Sequence, residues 1–179
     1  LFSDTSPADP GTTVTFNSTS SDADTTGTQD TVKLIVCASA GFSTTTDSCT
    51  GTTLGSTTVL ASSNATATYT IVIPTQDQDY SAYGYVIDNH GHEATGGAHG
   101  TDSTLTVNNV APAVTPALIS LVQASGTDLY LTVESSQTTG FTLQFTATDN
   151  NSCYTAATTS EITGYDLSIY RSGVGSTTC

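Results

Sequence analysis

Three groups of residues in this chain have the types and spacing to do chemistry. The first is a set of acidic and amide corners. Asp22, Asp24 and Asp30 crowd the loop Ser20–Asp30, and Asp88-Asn89 ends an aromatic run further along. Loops sharing one pole would converge these oxygens on a hard cation such as calcium, which takes six to eight oxygen ligands. Asp77, Asp79 and Asn109 form a second such set, which Asp149 and Asn150 would face across a linker. No EF-hand-like or nonapeptide calcium motif is present, and acidic loops also serve simply as solvated turns. The second group is His90, His92 and His99, all the histidines of the chain, in the Gly-rich loop HGHEATGGAHG. Alternating imidazoles on an extended loop can hold Zn, Cu or Ni, although an exposed loop explains them equally. The third group is four cysteines with no Cys-x2-Cys pair, which reads as two disulfides rather than a metal cluster. Three pairings exist; Cys37–Cys49, closing a short loop, and Cys153–Cys179 are the expected ones.

Nucleophilic catalysis finds little here. Serines are abundant, but there is no Gly-x-Ser-x-Gly elbow and no Ser/His/Asp arrangement on a plausible scaffold. The expectation is a protein that is not an enzyme. Asn17, Asn64 and Asn150 start Asn-x-Ser/Thr sequons, which suit exposed segments of a secreted protein.

The elements that must position these groups are strands. Thr, Ser and Gly are abundant, and Thr favours strands and turns over helices through its branched Cβ and hydroxyl. Val14 and Phe16 alternate with polar neighbours. Val32, Leu34 and Val36 do the same, with Ile35 and Cys37 on the other face. Further strands are predicted at 58–61, 65–74, 80–87 and 104–107, and Leu1–Gly11 reads as an irregular edge segment. No stretch shows a 3.6-residue apolar period. Short strands with Gly, Asn, Asp and Pro corners predict an all-β fold, an antiparallel Ig-like β-sandwich over residues 1–110.

After the linker NNVAPAVTP the series restarts, with strands predicted at 118–122, 129–133, 141–147 and 162–170. The stretch VTFNSTSSDAD…DTVKLIVCAS…Cys49 reads as repeated in FTLQFTATDNN…ITGYDLSIYRS…Cys179. By that alignment residues 111–179 form a second, incomplete Ig-like domain holding the first strands only. Half a sandwich leaves an apolar face and open edges, so three readings stand: a fragment of a longer protein, strands supplied by a neighbouring chain, or a smaller fold of its own over 111–179.

Charge bounds the partners. Two basic residues against 16 acidic give a net charge of −14, which repels phosphate backbones and anionic membranes. Nucleic acid and membrane insertion are therefore not expected, and no apolar run is long enough to span a bilayer.

The segments DTVKLIVCAS with its following Cys, YSAYGYVIDNHG, NNVAPAV and ATDNNSC…YRSGVGSTTC together resemble the tandem Ig-like, PKD-like repeats of very large bacterial cell-surface proteins. The resemblance runs over nearly the whole chain. It implies cadherin-like β-sandwich modules acting as stalks or adhesive surface structures, often with calcium, though the strict acidic linker pattern of cadherins is missing.

The expected function is a non-enzymatic extracellular stalk or filament segment. Its partners would be adjacent repeats, copies of itself, or a cell-surface protein or glycan. The alternative is a self-assembling filament subunit completed by strand donation. A carbohydrate-binding module using Tyr80, Tyr83 and Tyr85 ranks below both.

Overall fold

The computed structural model of the chain describes residues 2–20, 30–60, 63–95, 99–116, 120–123, 141–153, 156–160, 162 and 164–167. Among them the fold is all-β and antiparallel, with no α-helix. In particular, no helix is long and apolar enough to cross a membrane.

Two sheets face each other. One has three strands in the order β1 (Phe2–Asp4), β2 (Thr13–Ser18), β7 (Thr66–Thr70). The other has four, in the order β6 (Thr53–Leu60), β3 (Thr31–Cys37), β8 (Asp79–Asp88), β9 (Thr101–Thr106). A hairpin of β4 (Phe42–Ser43) and β5 (Ser48–Cys49) interrupts the connection from β3 to β6.

The alternation in sequence decides what each strand buries. Val14 and Phe16 of β2 point inward with Phe2, Ala67 and Ile71, and meet Val32, Leu34, Val36, Ala82, Val86 and Leu105 of the facing sheet. All of these are buried. Removing a large apolar side chain from water contributes about 1.5–3 kcal/mol, so this layer dominates the stability of the sandwich. Gly84, in the middle of β8, makes room for it. A Cβ there would meet the Phe2 ring at 2.5 Å, and that ring stacks on Phe16 with centroids 5.9 Å apart.

The N-terminal segment is more regular than its prolines predict. Phe2–Asp4 pairs with β2 in the register Phe2↔Ser18 and Asp4↔Phe16. The chain then crosses to the other sheet. Ser6 Oγ donates to Thr104 O at 3.1 Å, Thr106 N donates to Ser6 Oγ at 3.0 Å, and Ala8 forms a parallel bridge with Val107. Ser103 Oγ also donates to Asp4 Oδ2. Phe2 supplies the apolar anchor and the serines supply partners for edge groups, so the predicted irregularity is confined to residues 5–11.

The strand predicted at 65–74 stops at Thr70, because Ile71 turns its N–H to Thr12 O and leaves Val72 and Ile73 exposed. The predicted 58–61 strand is longer, Thr53–Leu60, since it pairs with β3 from Thr31↔Leu60 to Cys37↔Thr53.

Beyond the linker the described strands form two-stranded ladders. These are β10 (Ala113–Val114) with β13 (Ala147–Thr148), β11 (Ser120–Gln123) with β12 (Phe141–Gln144), and β14 (Ser152–Cys153) with β15 (Ala156–Ser160). Two expectations change. Residues 156–160, between two predicted strands, are themselves strand, and the described part of the predicted 162–170 strand (162 and 164–167) is not. Alternation reports which face of a segment is apolar; whether a ladder forms depends on a partner edge. Tyr165 and Leu167 have 63% and 59% of their surface exposed. The predicted strand 129–133 lies outside the described residues.

Candidate functional site

The Cys37–Cys49 disulfide is formed, with Cα atoms 5.6 Å apart. It staples the β4–β5 loop onto the outer face of the four-stranded sheet. Residues with inverted parity in β3 and β8, namely Ile35, Cys37, Tyr85 and Ile87, form a second small core there under Phe42. Phe42 stacks on Tyr85 at 4.4 Å, and His99 meets both rings edge-on at 5.8 and 5.1 Å. Tyr85 Oη donates to Ala40 O at 2.7 Å. Burial first, then the neighbouring Tyr83, raises the Tyr85 phenol above its ordinary value. Cys153 and Cys179 cannot be placed together here, since Cys179 lies outside the described residues.

The loop pole holds Asp30, Asp88, Asn89, His90 and His92. Asp88 is committed to its own turn. Its Oδ1 accepts from the backbone N–H groups of His90 (2.8 Å) and His92 (2.7 Å), and Oδ2 lies 3.0 Å from His92 Nδ1. Burial pushes this carboxyl up, but those hydrogen bonds and the adjacent His92 ring outweigh it, so Asp88 sits below its ordinary value. Asp30, which is buried, faces His90 Nδ1 at 3.8 Å, and Asn89 N donates to Thr31 O. His99 Nε2 lies 3.2 Å from Glu93 Oε2. The three histidines thus pair with three different carboxylates, and His99 stands apart in the aromatic cap. Asp22 and Asp24 lie outside the described residues. Among the described residues no three His, Cys, Asp or Glu side chains are grouped to hold a metal ion.

Tyr80, Tyr83 and Tyr85 do not form one platform. Strand parity sends Tyr80 toward the inner core and Tyr83 and Tyr85 to the outer face, where Tyr85 is covered. Of the sequon asparagines, Asn64 and Asn150 are exposed, and Asn17 is half-buried in the central strand β2.

The third region is the junction, and here the chemistry is dense. Asn108 Nδ2 donates to Asp9 Oδ1 at 2.9 Å, Asn109 Nδ2 to Asp77 Oδ2 at 3.0 Å, and Thr106 Oγ1 to Asp79 Oδ1 at 2.7 Å. Each carboxylate therefore holds part of the strand exit or the linker against the sandwich. Asn151, from the Asp-Asn-Asn corner, has none of its surface exposed. Its side chain accepts from Val110 N at 2.7 Å and donates to Asn108 O at 3.0 Å and Thr75 O at 3.3 Å. Its backbone forms a parallel bridge with Thr75, flanked by Thr75 N→Asn150 O and Ser152 N→Thr75 O. Asp149 Oδ1 accepts from Asn151 N and fixes the corner.

An amide carries one acceptor and two donor hydrogens, and Asn151 uses all three on main-chain groups of two separate segments. Aspartate lacks the donors and leucine lacks everything. Of the predicted pair, Asn150 O accepts from Thr75 N, and Asp149 is engaged within its own corner. The residue that does the joining, Asn151, was not among the predicted site residues. Its only sequence signal is an amide in a corner just after an alternating strand.

Comparison with protein-family models, with curated proteins and with solved structures finds no match for this chain.

Proposed function

We propose that this chain is a non-enzymatic extracellular spacer, a stalk or surface-filament segment in which an Ig-like sandwich is rigidly coupled to the segment that follows it. The observation that carries this reading is Asn151. A fully buried amide that satisfies groups on Thr75, Asn108 and Val110 makes the linker a fixed joint, because swinging it open strands those groups without partners. Leaving a buried hydrogen-bonding group unpaired costs about 1–3 kcal/mol.

Other features support the same reading. The facing order 1-2-7 and 6-3-8-9 supports a Greek-key sandwich of immunoglobulin type. A disulfide persists in oxidising compartments, which fits an extracellular address. Among the described residues, Asp77, Asp79 and Asp88 take hydrogen bonds from the linker, the strand exit and their own turn. In this reading stiffness comes from amide and carboxylate hydrogen bonds at the junction.

Small-angle scattering tests it. The wild-type chain should fit one extended particle, and Asn151→Ala should scatter as a flexible ensemble. A wild-type curve already requiring such an ensemble would sink the proposal.

A second reading, a filament subunit completed by a neighbour, draws on the exposed Val114, Tyr165 and Leu167 beside two-stranded ladders. It calls for concentration-dependent fibres by light scattering, and a monodisperse monomer excludes it.

A further inference from the structure

From Ser48 to Gln76 the sequence contains no charged residue, although the chain carries 16 acidic side chains elsewhere. This neutral run forms β6, β7 and the turn after them, and so lines the seam where the two sheets part at the junction end. A cavity of about 530 Å³ opens there, within the range of small-molecule sites. Buried Ile71, Leu105 and Val107 form its floor. Its walls include Tyr69 and Tyr80, both half-buried, with Gln76 and Gln78. Tyr80 Oη donates to Gln76 O at 3.1 Å, which fixes the ring. None of the lining residues is charged.

Ser152 closes one wall. It is 1% exposed, and its Oγ is buried without a hydrogen-bond partner in the protein. It reaches the seam because Asn151 and the Ser152 N–H bond to Thr75 O hold it there. A hydroxyl offers one donor and two acceptor sites, and a ligand hydroxyl reaching into the seam would supply this one with a partner.

We infer that this seam is a binding site for a neutral pyranose, as a residue of a glycan. The surrounding acidic field disfavours anions, and the cavity has no carboxylate to pair with a cation. A pyranose presents an apolar C–H face to aromatic and aliphatic walls and a hydroxyl edge to amides and a serine, which matches this lining. The inference rests on the junction reading above, because the clamp delivers Ser152.

Saturation-transfer and amide-shift NMR on the full chain with neutral methyl glycosides (gluco, galacto, manno and N-acetylglucosamine) tests it. The expected result is saturable binding of at least one glycoside, with shifts centred on Tyr69, Gln76–Tyr80 and Ser152. The methyl glucuronide should bind more weakly. Ser152→Ala and Gln76→Ala should each weaken binding about tenfold, while Val110 N–H stays protected from exchange. If Val110 N–H is protected and no glycoside binds, or binding ignores both substitutions, the sugar site is overturned and the clamp stands. An unprotected Val110 N–H in the wild type overturns both. Displacement of the glycoside's signals by an uncharged peptide, with no glycoside saturating, also overturns it.

Discussion

The sandwich carries two attachments, and they are held by opposite physics. On the outer face of β3 and β8, the 38–52 loop is fastened by a covalent bond and by stacked rings: Cys37–Cys49, Phe42 on Tyr85, His99 against both. At the junction, the segment after the linker is fastened by hydrogen bonds converging on one amide. The cap resists opening because the bridge limits the unfolded chain and the rings lose contact area. The clamp resists opening because the buried Asn151 amide would lose three partners at once, and a half-made network is worse than none. A loop cap can tolerate conservative repacking. A hydrogen-bonded joint tolerates almost no change of residue type, but it sets direction as well as attachment.

Substitutions can break this contrast. Replacing both Cys37 and Cys49 with Ala should cost about 3 kcal/mol for a loop of sequence separation 12, read as a lowered melting temperature. Junction protection should persist in that variant. Asn151→Ala should cost about 2 kcal/mol, expressed at the junction: faster proteolysis in the linker and loss of amide protection there, with the melting of the core nearly unchanged. If Asn151→Ala instead lowers the core transition as much as the cysteine pair does, the two attachments are not separable. Phe42→Ala, removing a half-buried stacked ring, should cost about 1–2 kcal/mol and leave the linker untouched.

The smallest effect belongs to the loop pole. The folded Asp88 carboxyl is held below its ordinary value, so its contribution is present above the unfolded pKa near about 4. It is lost as pH falls through the lower folded value. Asp88→Asn should flatten this acid limb of the stability curve by about 1 kcal/mol or less, measured by urea unfolding between neutral pH and the acid range. An unchanged limb would show that the turn does not use the charge.

The strands were legible because their alternation is strict. Val14/Phe16 and Val32/Leu34/Val36 name the inner face, and Ile35/Cys37 name the outer one, as the two buried clusters show. The Cys37–Cys49 bond was legible from spacing. The cap was not, because Phe42 is a lone aromatic in a Thr-rich loop and only tertiary contact pairs it with Tyr85. The partners of the carboxylates were not legible for a related reason. Asp77, Asp79 and Asp149 each take a different N–H or O–H donor, and sequence gives neighbours without giving partners. Asn151 reads as one turn former among many until its three main-chain partners, as far back as Thr75, are in place. The 162–170 alternation misled most, since a face was written there and no ladder forms over 162 and 164–167.

The rigidity of the junction is tested most directly by amide hydrogen exchange at Val110, whose N–H donates to Asn151 Oδ1 at 2.7 Å. Slow exchange is expected there in the wild type, shared with Thr75 and Ser152, and exchange at the free-peptide rate in Asn151→Ala while the β3 amides stay protected. Free-peptide exchange of Val110 in the wild type, with the β3 amides protected, would contradict it.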